Sequence, residues 1–380
     1  MKKIVFAGLY NELNYGDPIL ANCTEWLCLQ NGNYSDVCRI AIDQLSYNFC
    51  EKILARIIWR IPLKKIRERA LYFFNYRNFK KIYQKELRQA SIVVVVGGGL
   101  IKFKNQFFGA SLAALLDVAN DVYVPVVFNS VGVEGYDSSW RCQFLKKMLQ
   151  KKSLKYISTR DDLSLLSEMY FNGSPQIPCK LTADSAVWAA ECYGVKKDVS
   201  SSKIGIGTCR EKLFEDYGYP ISSDELLAFY EDLVIRLKSI YDVEIFTNGL
   251  PQDNIFAFKL QKKLMNRGLN VSVKIPKNAK DLVSIISSFK AIIAARLHAC
   301  IVAYSLNIPA IGLVWNEKLR LWGNNINAED FFISYDQINA SNVMNKILYA
   351  MSKGYDTQRR TVFRNTVYES VKFYINSFST

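Results

Sequence analysis

Short runs of β-branched residues alternate along this chain with segments long enough to form helices, and this alternation restricts the fold more than any other feature. It is typical of βα units that build a mainly parallel sheet. The runs form two sets of candidate strands: residues 3–8, 36–42, 91–96, 122–128, 154–159 and 179–183, then 203–209, 243–248, 271–276, 291–295, 309–314 and 331–334.

A polar stretch rich in Ser and Lys, residues 194–203, separates the two sets and has the character of a linker. The length of 380 residues also favours two domains, at roughly 100–200 residues each. We therefore expect an α/β chain with two Rossmann-like domains, residues 1–193 and 204–380, that face each other across a cleft. In such sheets ligands bind outside the carboxyl ends of the strands, so functional residues are expected in the loops that follow strands.

The chain contains a single histidine, His298, which excludes every site that requires two imidazoles, including HExxH centres. Its nine cysteines are scattered and form no CxxC pair. A zinc ribbon, a redox motif and a secreted disulfide framework are therefore not indicated. We expect no metal and no cofactor.

The first residues, MKKIVFAG, superficially resemble a signal peptide, but the apolar run is too short and is interpreted as the first strand. The sequence also has no uninterrupted apolar run of about 18 residues, the length that a membrane-spanning helix needs. These features predict a cytoplasmic protein.

The loop after the first strand is a candidate ligand site. Asp17 followed by Pro18 is typical of a helix N-cap with proline at the first helical position, which leaves Asn14 and Gly16 in the loop just before the helix. Free backbone N–H groups at such a helix start suit an anion or a sugar hydroxyl. An ordinary capped turn would explain the same residues.

Three glycines, Gly97, Gly98 and Gly99, follow the valine run of the third candidate strand. Glycines at a strand end let a ligand approach the backbone closely or allow positive φ. Tight packing between the strand and its loop would need the same residues, so the signal is only moderately specific.

Arg296 and His298 flank Leu297 where a buried strand ends and an apolar helix begins. In an extended turn their spacing would project both side chains to one side, with Leu297 towards the core. A guanidinium and an imidazole at a helix N-terminus would form a strong anion site, although a lone histidine is more often a satisfied core residue. Further cations stand at similar strand-to-helix corners: Arg160, Arg210 and Lys318.

Taken in order, these motifs resemble the polysaccharide pyruvyl transferase family. The resemblance is carried by NYGD at 14–17, VVVVGGGL at 93–100, ISTRD at 157–161, TADSA at 182–186 and RLHACIVAYSLNIPAIGL at 296–313, followed by Lys318. The last block is the most specific. Family members often carry further histidines, and this chain has none beyond His298.

The resemblance implies a GT-B-like arrangement and transfer of an enolpyruvyl group from phosphoenolpyruvate to a sugar, closing as a pyruvate ketal and releasing phosphate. The acceptor is expected to be a lipid-linked precursor of a surface polysaccharide. The catalytic residues are expected to be His298 and Arg296. Phosphoenolpyruvate would be held by cations: Arg210, Arg296, Lys318 and Arg160. The acceptor would be held on the opposing, N-terminal domain: Asn14, Gly16, Asp17, Gly98 and Gly99.

Two other functions remain open at this point. A GT-B-type glycosyltransferase with a nucleotide-sugar donor would share the architecture, and fold alone does not separate the two. A nucleic-acid binder would suit the formal charge of +14, but no RNP, KH, zinc-finger or helix-turn-helix motif accompanies that charge. We therefore expect no nucleic acid as partner.

The positive charge is concentrated in residues 51–90, which hold twelve Lys and Arg against three acids, a net charge of 12 − 3 = +9. This segment is rich in aromatic residues and interrupts the βα alternation, which predicts an inserted basic helical arm in the first domain. A solvated helical pair packed on that domain would explain it, and so would an interfacial element that docks on anionic lipid at the inner face of a membrane.

Overall fold

The structure is a computed structural model and describes residues 2–10, 13–101, 106–133, 135 and 139–379. The chain forms two compact units, each with its own six-stranded parallel sheet. Unit 1 comprises Met1–Tyr10, Thr24–Ala183 and Thr366–Thr380, and unit 2 comprises Asn11–Cys23 and Asp184–Asn365.

The sheet of unit 1 has the strand order β2-β1-β3-β4-β5-β6. Its strands are β1 Lys3–Gly8, β2 Asp36–Ala41, β3 Ala90–Val96, β4 Val126–Val131, β5 Leu154–Thr159 and β6 Cys179–Leu181. The central strands β1, β3 and β4 are buried along almost their whole length. Continuous burial is expected where helices cover both faces of a parallel sheet.

The sheet of unit 2 has the strand order β12-β11-β10-β7-β8-β9. Its strands are β7 Ile204–Gly207, β8 Val243–Phe246, β9 Ser272–Lys274, β10 Ala291–Ala294, β11 Ala310–Val314 and β12 Phe332–Ser334. This is the strand order of a dinucleotide-binding Rossmann sheet. All strands are parallel, and the second and third strands are added to one side of the first strand and the last three to its other side, so that the strand order reverses between the first and the fourth strand. Here those two strands are β7 and β10, and they are direct neighbours.

Helices connect the strands in both units. In chain order they are α1 Gly16–Asn31, α2 Phe49–Trp59, α3 Lys64–Glu86, α4 Gln106–Asp121, α5 Trp140–Met148, α6 Leu163–Leu165, α7 Ala189–Tyr193, α8 Leu213–Asp216, α9 Ser223–Lys238, α10 Pro251–Met265, α11 Ala279–Ser287, α12 Leu297–Ser305, α13 Glu317–Asn325, α14 Ala340–Lys353 and α15 Thr357–Phe378. The predicted fold class, two Rossmann-like domains of GT-B-like type with a helical insertion in the first, is confirmed. Within the described parts of the chain, no helix is both long and apolar enough to cross a bilayer.

The chain is divided between the units differently from the two continuous segments that the sequence suggested. The main division falls between Ala183 and Asp184, ahead of the polar stretch 194–203. Residues just after Asp184 are tied to unit 2, since Ala190 N–H donates to Ser305 Oγ at 3.1 Å. The C-terminal segment returns to unit 1, where the hydroxyls of Tyr156 and Ser370 are 2.8 Å apart. Neither long-range contact leaves a local mark in the sequence.

The predicted starts of two elements, the fourth strand and the first helix, were also wrong by a few residues. The fourth strand begins at Val126 and not at residue 122, because α4 runs to Asp121 and Tyr123 takes a left-handed φ of 58° in the turn that follows. Helix α1 begins at Gly16, so Asp17 lies inside its first turn and is not the N-cap. The cap is therefore formed earlier in the loop than the Asp-Pro pair indicated.

The basic helical arm consists of α2 and α3 between β2 and β3. Asp117 of α4 anchors α3 by accepting hydrogen bonds from the Tyr76 hydroxyl at 2.6 Å and from Lys80 Nζ at 2.8 Å. It also accepts a hydrogen bond from Lys151 Nζ, which lies after α5, at 2.8 Å. Burial alone would raise the pKa of the Asp117 carboxyl. The hydrogen bonds from Lys151, Lys80 and Tyr76 outweigh burial and hold that pKa well below its usual range.

We predict that Asp117→Asn lowers the free energy of unfolding by about 1–3 kcal/mol at neutral pH, because partly buried donors lose an ionised acceptor. A depressed pKa stabilises the fold above the unfolded-state pKa, so the difference from the wild type should shrink as the pH falls below about 4. Urea titrations at a series of pH values measure this difference in the free energy of unfolding. The control is Asp121→Asn, since Asp121 lies 3.2 Å from Lys80 but is 54% exposed; equal losses in both variants would contradict the prediction.

Candidate functional site

The candidate site of unit 2 lies where the strand order reverses, at the carboxyl ends of β7 and β10. Arg210 follows β7, whereas Arg296 and His298 follow β10. Loops that leave neighbouring strands in opposite directions open a crevice at such a point, and ligands of open parallel sheets bind there. The structure therefore brings three of the predicted residues to the position in unit 2 that topology favours for a ligand.

Arg296 is the N-cap residue of α12 and forms a two-pronged ion pair with Asp253. Its Nε and Nη2 lie 2.8 and 2.5 Å from the two carboxylate oxygens, and the two side chains are 13% and 0% exposed. Burial works to lower the pKa of the Arg296 guanidinium, but the Asp253 carboxylate raises it further, so the group stays charged. Asp253 thereby fixes the plane of the guanidinium and leaves the other N–H donors of the fork for a second anion.

His298 is the second residue of α12 and is 7% exposed. Its Nε2 lies 3.7 Å from Oδ2 of Asp184, an ion-pair distance for a protonated ring. The other oxygen of Asp184 accepts the N–H of Ala186 at 2.8 Å and so caps the short turn that begins at Ser185. Arg296 and His298 thus contact different carboxylates. Leu297 was predicted to point towards the core, but it is only half-buried.

The loop before α1 contributes to the same site. A Cβ added to Gly16 would lie 2.2 Å from Nδ1 of His298, so the imidazole packs directly against the Gly16 backbone. Tyr15 anchors the loop, since its N–H donates to the Asn248 carbonyl at 3.0 Å and its hydroxyl to the Lys277 carbonyl at 2.9 Å. Gly249 has φ +102°, and a Cβ there would lie 2.5 Å from the Leu13 carbonyl oxygen.

These contacts correct the predicted placement of Asn14, Gly16 and Asp17. They follow the first strand, so the prediction from the sequence placed them on the N-terminal domain, opposite His298. The structure assigns residues 11–23 to unit 2, the unit that contains His298. The close approaches at Gly16 and Gly249 explain why, since a side chain at either position would push the loop away.

Two side-chain amide atoms in this region, one from each of two asparagines, lack a hydrogen-bond partner within the described residues. Oδ1 of Asn14 and Nδ2 of Asn248 are both buried and unbonded, and Asn248 as a whole is 2% exposed. A buried polar group without a partner costs about 1–3 kcal/mol. A ligand that carries hydroxyl groups would satisfy both atoms, because a hydroxyl donates and accepts.

Arg210 and Lys318 are placed at the predicted corners of unit 2. Arg210 forms an ion pair with the half-exposed Asp216 and lines a pocket of about 240 Å³ together with Gln252 and Phe256. Lys318 is half-buried in the first turn of α13, after β11. An exposed pair such as Arg210–Asp216 contributes little stability, so Arg210 can exchange its partner for a ligand at small cost.

Arg160, Gly98 and Gly99 belong to a second cluster, in unit 1, at the carboxyl ends of β3, β4 and β5. The Arg160 side chain is 6% exposed, with Nε 3.7 Å from Oδ1 of Asp161. Gly132 N–H donates to the Gly98 carbonyl at 2.5 Å, and a Cβ on Gly132 would lie 2.7 Å from Asp161 and 3.1 Å from Gly99. The glycines here allow two strand ends and a carboxylate to pack closely.

The functional importance of Asp184, Asp253 and Asn248 was not predicted from the sequence. Asp184 lies within the TADSA motif, where an aspartate ahead of a short helical turn is typical of an N-cap and gives no sign of a distant histidine. Asp253 and Asn248 follow β8, and their position after a strand was the only available signal. Across the residues that the structure describes, no cluster of three or more His, Cys, Asp or Glu side chains is arranged to hold a metal ion.

Fold and site together define a protein of two Rossmann-like domains with a buried histidine and a largely buried arginine side chain at a strand-order reversal. Residues 14–317 match the family model for polysaccharide pyruvyl transferases. The match covers well over half of the chain, so the protein belongs to this family, a family of transferases. Among curated protein sequences, none matches this chain significantly.

Three solved structures with similar folds are described as UDP-GlcNAc 2-epimerases, and their sequence identity to this chain is low. The UDP-GlcNAc 2-epimerase of Methanocaldococcus jannaschii has a TM-score of 0.62 and 13% identity, covering 99% of this chain and 100% of its own. The putative UDP-N-acetylglucosamine 2-epimerase of Listeria monocytogenes has a TM-score of 0.60 and 12% identity, covering 99% of this chain and 96% of its own. The Neisseria meningitidis UDP-GlcNAc 2-epimerase bound to UDP-GlcNAc has a TM-score of 0.55 and 12% identity, and the match covers 99% of both chains. At this identity the likeness concerns the fold alone.

The contact between Gly16 and His298 predicts that Gly16→Ala displaces the imidazole. We expect clear shifts of the imidazole NMR signals, which are unambiguous because the chain has one histidine, and a stability loss of about 1–3 kcal/mol from overpacking. Gly135→Ala is the control, since a Cβ there meets none of the described residues within 4 Å. Unchanged imidazole signals in Gly16→Ala, with the fold retained by circular dichroism, would show that the contact is absent.

Proposed function

We propose that this protein transfers the enolpyruvyl group of phosphoenolpyruvate to a sugar of a surface polysaccharide precursor, closing it as a cyclic pyruvate ketal and releasing phosphate. The observation that supports this most is the placement of the buried His298 and of Arg296, whose side chain is 13% exposed, at the strand-order reversal of unit 2, in a chain that belongs to the pyruvyl transferase family. The donor and the acceptor are the parts of the proposal that experiments must decide.

The charge of the site suits phosphoenolpyruvate, which carries a carboxylate and a phosphate. Arg296 is held in place by Asp253 and offers its remaining N–H donors to an anion. Arg210 and Lys318 stand on loops after β7 and β11 of the same sheet and supply two further cations. Arg160, in unit 1, is proposed as an additional anion contact.

His298 is proposed as the general acid. The protonated imidazole gives its proton to the methylene carbon, which becomes a methyl group while positive charge develops on the neighbouring carbon. One sugar hydroxyl attacks that carbon, the bond to the phosphate oxygen breaks, and a second hydroxyl closes the ring. The two hydroxyl protons are accounted for, because one returns to the imidazole and the other leaves with phosphate.

The acceptor sugar is proposed to bind to Oδ1 of Asn14 and Nδ2 of Asn248, which have no hydrogen-bond partner among the described residues. A neutral amide is better suited to a sugar hydroxyl than to an anion, because its oxygen accepts from the hydroxyl and its nitrogen donates to it. Gly16 contributes by admitting the His298 ring, and Asp17 lies one residue further along α1. Gly98 and Gly99 of unit 1 are proposed as backbone contacts for the acceptor. A lipid-linked oligosaccharide is the acceptor form that we propose.

We predict that phosphoenolpyruvate raises the melting temperature and that, with a suitable acceptor, phosphate is released and a ketal product of the expected mass appears. His298→Gln should lose about 10²- to 10⁴-fold in kcat, as expected when a general acid is removed, while phosphoenolpyruvate still stabilises the variant. The matched arginine control is Arg236→Gln, whose side chain pairs with Asp232 on the exposed face of α9. It should behave as the wild type, whereas Arg296→Gln should lose the stabilisation.

The acceptors to test are lipid-linked oligosaccharides beside soluble sugars. If UDP-GlcNAc stabilises the protein and phosphoenolpyruvate does not, the proposed donor is wrong and a nucleotide-sugar enzyme, such as a glycosyltransferase, is favoured instead. Full ketal formation by His298→Gln would remove only the acid assignment.

Asp184 is proposed as the positioning residue of His298. We predict that Asp184→Asn lowers kcat about tenfold or more with little change in the KM for phosphoenolpyruvate, because the carboxylate orients the ring and attracts its protonated form. Asparagine caps a helical turn as well as aspartate does, so the variant should keep its melting temperature. Equal kcat in Asp184→Asn and the wild type would show that the 3.7 Å contact has no catalytic part.

A further inference from the structure

The tip of the basic helical arm, residues 49–69, has an outward surface that is largely apolar. Ile58 is the one buried residue of α2, and at about 100° per residue Phe49, Ile53 and Ile57 lie away from it. The exposed apolar side chains of the tip are between 42% and 77% exposed: Phe49, Ile53, Leu54, Ile57, Trp59, Leu63 and Ile66. A helix pair that only faced water would carry polar residues at these positions.

Cations stand between these apolar side chains. Lys52, Arg56 and Arg60 project from the same side of α2 as Phe49 and are exposed. The tip holds seven Lys and Arg against two acids, a net charge of 7 − 2 = +5. Its surface is therefore both apolar and cationic.

Both acids of the tip are already neutralised by cations from other segments. Glu51 accepts Lys81 Nζ at 2.8 Å, and Glu68 accepts Arg141 Nη2 at 2.6 Å. No described residue forms an ion pair with the main cations of the tip: Lys52, Arg56, Arg60, Lys64, Lys65 and Arg69. The positive charge of the tip is therefore available to an external anion.

The remainder of the arm is firmly attached to unit 1. Tyr72, Phe79 and Tyr83 of α3 are buried, and Tyr83 and Ser111 of α4 share a hydrogen bond of 2.6 Å between their hydroxyls. The arm is thus anchored at one end. Its exposed large apolar side chains lie at the tip, with the exception of Phe73, which is 48% exposed. A tip presented in this way on a rigid base is suited to docking on another surface.

We propose that the arm tip docks on the surface of an anionic lipid bilayer. The centres of protein interfaces are depleted in lysine, whereas a bilayer surface accepts both components of the tip. Apolar side chains enter the boundary between headgroups and acyl chains, and lysine and arginine reach the phosphates on their long stems. Docking does not depend on the proposed function, but it would bring the protein to a lipid-linked acceptor.

Flotation with vesicles tests the electrostatic part. Wild-type protein should bind vesicles of phosphatidylcholine with phosphatidylglycerol at low salt, and should bind vesicles of phosphatidylcholine alone much more weakly. The triple variant Lys52→Gln, Arg56→Gln, Arg60→Gln should lose affinity on the order of a hundredfold, at about tenfold or less per charge near a bilayer surface.

The control has the same change in net charge on scattered exposed lysines: Lys262→Gln, Lys280→Gln and Lys372→Gln. It should bind nearly as the wild type does. The proposal is overturned if the wild type does not float with anionic vesicles, or if the tip variant and the control lose affinity equally.

The apolar part has its own readout. Ile53→Ser with Ile57→Ser should weaken vesicle binding while the melting temperature is retained, because both side chains are exposed. Trp59 fluorescence should shift to shorter wavelength on binding, and the shift should vanish in Trp59→Phe. Unchanged binding of the serine variant and no Trp59 shift would reject the bilayer; equal binding to duplex DNA or an acidic polysaccharide would then identify a polyanion surface.

Discussion

The buried ion pair between Arg296 and Asp253 sets the geometry of the site in unit 2. Asp253 is fully buried, and an unpaired carboxylate there would cost several kcal/mol, so Arg296 is not free to leave it. A ligand anion must therefore come to the guanidinium where Asp253 holds it. Arg210 is the opposite case, since its partner Asp216 is exposed and easily exchanged. One arginine is a fixed contact and the other an adaptable one.

The loop of residues 13–17 gives the site its second fixed element. It follows the first strand of unit 1 along the chain but belongs to unit 2, where the Tyr15 N–H donates to the carbonyl of Asn248 in the loop after β8 and Gly16 lies against His298. Asp184 approaches the same imidazole at Nε2, while Gly16 contacts it at Nδ1. The ring is thereby held between a carboxylate and a bare backbone, and a larger residue at position 16 would change its orientation.

Much of this could be predicted from the sequence, for identifiable reasons. Strands and their order along the chain follow from local runs of β-branched residues, and the rule about carboxyl ends leads from those runs to Arg210, Arg296 and His298. What could not be predicted depends on contacts between distant segments. Asp184 and Asp253 acquire their meaning only when folding places them beside His298 and Arg296. The exchange of residues 11–23 and 366–380 between the units is of the same kind.

The cations for which a function is proposed fall into two groups that differ in their physical setting. Arg296 is buried against a carboxylate, so salt screens it weakly, whereas the cations of the arm tip are exposed, and salt screens their attraction to an anion within about 8–10 Å. Binding of a small anion in unit 2 should therefore persist at salt concentrations that release the tip from a charged surface. The two activities proposed for the chain can be separated by ionic strength alone, because the first depends on a desolvated guanidinium and the second on solvated ones.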